Sequence, residues 1–178
     1  TAIRLLLLAT TFMPLLVFNA TIYPFVFPKI VYYRSLVELA LALALICFLV
    51  ISADERKKVL AGCWGRIKKL FRHPTVAFLA LLFFSWAISS VLADNAYRAF
   101  WGDLERGVGV FGIIHFYLFL ILTLVFFREK GWLWFFKLSL IVGLTLIGIA
   151  FLQYFGLKFL FLDPPQQPRP ESLIGNSA

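Results

Sequence analysis

Between Ala93 and Gly107 the sequence reads Ala93-Asp94-Asn95-Ala96-Tyr97-Arg98-Ala99-Phe100-Trp101-Gly102-Asp103-Leu104-Glu105-Arg106-Gly107, a polar stretch between two strongly apolar runs. If it is helical, Arg98, Trp101 and Glu105 share one face at i, i+3 and i+7. A guanidinium beside an aromatic plane is suited to hold a phosphate while a sugar or lipid stacks nearby, because its planar fork donates to two oxygens at once. The plainer reading is an interfacial helix, with Trp101 at the lipid–water boundary and Asp/Arg pairs satisfying one another. On the residues alone the plainer reading is preferred.

Gly107-Val108-Gly109-Val110-Phe111-Gly112 matches the G-x-G-x-x-G pattern. That pattern cradles a pyrophosphate only when it follows a strand in a βαβ unit, whereas here it opens an apolar run. Small residues permitting close helix packing are the better explanation. Three ionisable residues fall within or at the edge of apolar runs. Glu38 lies one turn after Arg34, so a local pair accounts for it. Lys137 can snorkel from its helix end. His115 has no carboxylate nearby in sequence and reads as a hydrogen-bonded packing residue rather than a proton relay. Cys47 and Cys63 are sixteen positions apart, with no Cys-x-x-Cys or Cys/His cluster, so neither a metal nor a redox pair is indicated.

The elements that must carry these residues follow from composition. Of 178 residues, 62% are hydrophobic and 15% charged, with mean hydropathy +0.91 and net charge +8. A soluble domain of this size has no way to bury so much apolar side chain. Apolar runs at 3–18, 35–51, 75–93, 108–127 and 132–152 approach the ~20 residues needed to cross a bilayer core of about 30 Å. Continuous Leu, Ala, Ile and Phe without period-2 alternation excludes the pattern of a transmembrane barrel. The expected fold is therefore all-α: a polytopic transmembrane helix bundle of about five spanning helices plus short interfacial helices, forming a single transmembrane domain over 1–178.

Positive charge sets the expected orientation. With the N-terminus cytoplasmic, the inner side collects Arg4, Arg56, Lys57, Lys58, Arg66, Lys68, Lys69, Arg72, Arg128 and Lys130. The outer side holds Lys29, Arg34, Arg98, Arg106, Lys158 and Arg169. Within the inner loop, Arg66, Lys68, Lys69 and Arg72 alternate with Trp64, Ile67, Leu70 and Phe71, the pattern of a basic amphipathic helix lying on an anionic leaflet. Pro14 falls inside the first run and is expected to kink it. Asn19 to Thr21 matches a glycosylation acceptor but lies too close to the membrane to count. After the last run, four prolines between Pro164 and Pro170 enforce an extended linker carrying Arg169, a second outer guanidinium. The sequence starts at Thr1 and stops directly after a polar stretch, so the chain is expected to be the N-terminal fragment of a longer membrane enzyme.

The order of these features resembles the O-antigen ligase and polymerase family. The likeness rests on Tyr23-Pro24-Phe25 through Lys29 and Arg34, on Phe100-Trp101-Gly102 with Glu105-Arg106 and Gly109, and on His115-Phe116. Further along it includes Leu152-Gln153-Tyr154-Phe155-Gly156, Arg169-Pro170 and Leu173-Ile174-Gly175-Asn176. The ordered set spans nearly the whole chain. The resemblance implies a multi-pass protein of the bacterial inner membrane that moves a glycan from undecaprenyl pyrophosphate to an acceptor glycan or lipid hydroxyl on the periplasmic side. Its implied partners are the bilayer, the lipid-linked donor and the acceptor, with no nucleic acid, no cofactor and no metal. By the same likeness Trp101, Gly102 and Arg106 match the family's outer motif, and Arg169 matches the arginine before its Gly-Asn element. Together with Arg98 they make up the expected substrate-binding set. Ser177 departs from the family, in which proline often follows the asparagine. The family's catalytic histidine belongs to a later outer loop, so neither His73 nor His115 inherits that role, and the chain alone is expected to be inactive. Two other classes compete on the residues: a transporter or lipid flippase, from Glu38, Lys137 and His115 within spans, and a non-catalytic membrane scaffold.

Overall fold

The computed structural model describes residues 1–18, 25–72, 74–103 and 109–155. Among them every regular element is helical, and the chain is an all-α bundle with the composition of a membrane protein. Three helices are long and apolar enough to cross a bilayer: α2 (Phe27–Val50), α4 (Pro74–Val91) and α7 (Glu129–Tyr154). Two further apolar helices are shorter than the expected crossings. One is α1 (Ala2–Ala9) with its 3₁₀ continuation (Thr10–Leu15), and the other is α6 (Val110–Phe126). The remaining helices, α3 (Ala53–Phe71) and α5 (Ala96–Trp101), connect spans.

The first run is short for a local reason. Pro14 lacks the N–H that an α-helix would aim at the Thr10 carbonyl, and its ring crowds that carbonyl, so the chain tightens into 3₁₀ geometry from Thr10 onward. At 1.5 Å per α residue and 2.0 Å per 3₁₀ residue, Ala2–Leu15 spans only about 24 Å. The carbonyls loosened by the change find partners. Thr10 and Thr11 donate their hydroxyls to Leu7 and Leu8, each at 2.7 Å, and Tyr32 of α2 donates to the Ala9 carbonyl at 3.0 Å. In lipid these bonds replace the water that would otherwise solvate the break.

The second helix starts eight residues before the expected boundary because Pro28 sits in its first turn, where a missing N–H costs nothing and φ is already helical. Its Tyr33, Val37 and Ala40 repeat at helical spacing and are buried with Ile3 and Leu7 of α1 and Leu122 of α6; Phe127, just after α6, completes the core. Lipid tails are as apolar as these side chains, so the gain here comes from close packing rather than water exclusion.

Contacts along α1, α2 and α6 fix their relative directions. Arg4 donates to the Phe126 carbonyl at 2.8 Å, placing a cation on the negative end of α6. Tyr33 and Arg34, early in α2, meet His115 and Phe111, early in α6. Helices α2 and α6 are therefore parallel, and α1 runs against both. Arg4, Arg128 and the start of α3 consequently gather at one end of the bundle, while Arg34 and α5 lie at the other. The α3 helix begins with a capping box: Glu55 N–H donates to the Ser52 hydroxyl at 3.4 Å, and the Ser52 N–H and hydroxyl donate to the Glu55 carboxylate at 3.3 and 3.1 Å. Arg56 turns back to donate to the Ile51 carbonyl at 3.1 Å, satisfying the end of α2.

Candidate functional site

At the Arg34 end, the described part of the polar stretch after α4 forms one short helix, α5. Asn95 caps it by accepting the Arg98 N–H at 2.9 Å. Gly102 ends it with φ 80 and ψ 177, a conformation that side chains other than glycine rarely adopt. Of the expected face of Arg98, Trp101 and Glu105, the first two members lie on α5. Glu105 and Arg106 lie outside the described residues, as does Arg169.

Arg98 is exposed, and its Nε donates to the Asp103 carboxylate beyond the break. That hydrogen bond, and then the charge of Asp103, holds the guanidinium pKa above its ordinary value, so Arg98 stays cationic at any working pH. Trp101 stands at the centre of an aromatic cluster, with Phe100 at 5.1 Å edge-on, Phe111 of α6 at 4.9 Å and Tyr97 at 6.4 Å between ring centroids.

The α5 end sits directly on the beginning of α6. A Cβ placed on Gly109, the N-cap of α6, would fall inside 3.0 Å of backbone atoms of Phe100, Trp101 and Gly102. Gly109 of the glycine-rich pattern therefore permits close backbone approach, in line with the packing role expected of its small residues.

Phe111 joins this roof to a polar layer beneath. The Arg34 guanidinium lies 5.0 Å from the Phe111 centroid, and the His115 ring meets Phe111 edge-on at 4.6 Å. His115 is buried, with Nδ1 2.7 Å from the Phe111 carbonyl and Nε2 2.9 Å from Glu38 Oε1. Here the structure amends the sequence reading. His115 is a hydrogen-bonded packing residue as expected, but it does have a carboxylate partner, supplied by α2. Glu38 remains within electrostatic reach of Arg34, yet its hydrogen bond goes to the histidine. The 77 positions between Glu38 and His115 hid the pair from local spacing. The signal that could have found it is general: an acid and an imidazole within apolar runs each need a partner, and here they fit one another.

Lys137, expected to reach for the interface, places its Nζ 5.7 Å from the Trp134 ring centroid on the same helix. Next to Tyr33 and Phe116 a cavity of about 340 Å³ lies between the 3₁₀ segment, α2, α6 and α7. It is lined mainly by apolar groups, with Thr10, Thr11 and Ser139 among the few polar ones. Cys47 is a free thiol, and among the described residues no three His, Cys, Asp or Glu side chains gather as a metal ligand set.

Trp101 of α5 and Phe111 of α6 thus pack ring to ring with the Arg34 guanidinium of α2 over the Phe111 ring, and Arg98 lies one turn before Trp101 on α5 with its guanidinium bonded to Asp103. Comparison with known proteins found no matching family model, no matching curated protein and no matching solved structure.

Proposed function

We propose that this chain is part of an integral-membrane glycosyltransferase that moves a glycan from undecaprenyl pyrophosphate to an acceptor hydroxyl at the periplasmic face of the bacterial inner membrane. The observation that carries this reading is the convergence of Arg34, Phe111 and Trp101, with Arg98 on the same short helix as Trp101. Departure of a pyrophosphate concentrates negative charge on the leaving oxygens, and guanidinium groups held in place stabilise that charge without having to reorganise. The tryptophan and phenylalanine rings offer the adjoining plane on which a sugar or an isoprenoid unit packs. In this reading Arg98, Trp101, Gly102, Arg106 and Arg169 bind the donor, and Gly102 contributes by ending α5 so that Trp101 turns toward α6. The N-terminus is then cytoplasmic, with α3 and its basic residues on the inner leaflet. The rule that positive residues stay inside supports this, because Arg4, the α3 loop and Arg128 share one end of the bundle.

The test is substitution of Arg106 by alanine in the complete gene product, followed by transfer from a lipid-linked glycan in reconstituted membranes. Transfer should be abolished while membrane insertion is unchanged; transfer at the unsubstituted rate would refute the assignment.

A further inference from the structure

Glu38 and His115 meet across the α2–α6 interface in a way that fixes how many protons they hold. The Phe111 carbonyl only accepts, so at 2.7 Å from it His115 Nδ1 must carry a hydrogen. That leaves Nε2 facing Glu38 Oε1 at 2.9 Å. A bare nitrogen lone pair against an ionised carboxylate would be repulsive, so a hydrogen has to lie between them. It sits either on Nε2, giving an imidazolium–carboxylate pair, or on Oε1, giving an acid bonded to a neutral ring. In both cases the pair is formally neutral, which is the condition under which a carboxylate more than half exposed on a membrane-spanning helix is tolerable.

The same pair closes a ring of contacts. Glu38 is bonded to His115; His115 packs edge-on against Phe111; Phe111 lies beneath Arg34; and Arg34 is one helical turn from Glu38. Tyr33 adds a hydrogen bond from its hydroxyl to the His115 carbonyl at 3.3 Å, tying the two helices at the same level. Two helices joined by such a ring cannot slide or rotate without breaking the carboxylate–imidazole bond. From α2 the Tyr33 hydroxyl and the Glu38 carboxylate reach His115, while Arg34 lies over the Phe111 ring against which His115 packs.

We propose that Glu38 and His115 form a proton-holding site within the membrane-spanning region, and that the side-chain hydrogen bond between positions 38 and 115, whichever group supplies its hydrogen, is the positioning element that keeps the Phe111 ring against the Arg34 guanidinium. Neither residue touches a reacting atom in this role; they act through Arg34.

The test is solid-state NMR on the full chain in lipid bilayers, with ¹⁵N-labelled histidine and arginine. The His115 signals are those lost in His115→Gln, and the Arg34 guanidinium signal is the one lost in Arg34→Lys. The unsubstituted protein should show a hydrogen on Nδ1 and a second, strongly hydrogen-bonded proton between Nε2 and Glu38. In Glu38→Gln, whose amide can still donate to Nε2, that second proton should disappear while the ring-current displacement of the Arg34 signal persists. In Glu38→Ala the displacement should be lost and the Arg34 signal should move to the position of exposed arginines. A bare Nδ1 in the unsubstituted protein, or a histidine spectrum unchanged in Glu38→Gln, would overturn the shared proton. An Arg34 signal that stays displaced in Glu38→Ala, or is already lost in Glu38→Gln, would overturn the positioning role.

Discussion

Replacing Gly109 with alanine tests the packing on which the site depends. The added methyl has no free volume to enter, because the atoms it meets are backbone atoms of Phe100, Trp101 and Gly102 rather than the far end of a flexible side chain. Either α5 lifts from α6 or the first turn of α6 distorts, and overpacking of this kind costs about 1–3 kcal/mol. At about 1.4 kcal/mol per tenfold, the folded-to-unfolded ratio should fall by a factor of roughly 5 to 150. Gly148 is the internal control, since a Cβ there meets nothing within 4 Å; alanine at that helical position should be neutral or stabilising by up to about 1 kcal/mol. Equilibrium unfolding in mixed detergent micelles compares the two variants directly. If Gly109→Ala proves as stable as Gly148→Ala, α5 does not pack on α6 as described.

Other expectations follow from the same geometry. Gly102→Ala forces a side chain into a φ/ψ region that is nearly reserved for glycine, at a cost of about 1–3 kcal/mol, and should loosen the Trp101–Phe111 contact as read by tryptophan quenching. Tyr32→Phe removes the donor to the Ala9 carbonyl at the proline break and should lower stability by about 0.5–1.5 kcal/mol in the same unfolding assay. Ser52→Ala dismantles the capping box, so helicity at the start of α3 should fall by the equivalent of about 0.5–2 kcal/mol, seen as faster amide exchange between Ala53 and Lys57.

Much of the helix pattern was open to reading because its cause is local. Unbroken apolar runs mark α2, α4, α6 and α7, Pro14 marks the break in the first run, and Gly109 at the head of an apolar helix marks a close approach. The boundaries that moved did so for equally local reasons: Pro28 begins α2 early, and the left-handed Gly102 stops α5 before Glu105. The Ser52–Glu55 box was legible as S-x-x-E, a signal that charge counting in that loop passed over. What the chain order does not encode is which helix face meets which. Glu38 was assigned to Arg34 because helical spacing offers only partners on its own helix, while its hydrogen bond goes to a histidine on another. Phe111 lies within the glycine pattern, yet its place between Arg34, Trp101 and His115 depends on α5 folding back onto α6.

The proposed chemistry requires the Trp101 end of the bundle to face the periplasm. Single cysteines at Arg98 and at Lys68, introduced after replacing Cys47 and Cys63 with serine, report this in intact cells treated with a membrane-impermeant thiol reagent that passes the outer membrane. Labelling at position 98 without permeabilisation, and at position 68 only after the inner membrane is opened, is the expected result. Labelling at position 68 from outside with position 98 protected would invert the bundle and remove the proposed donor site from the compartment where it must act.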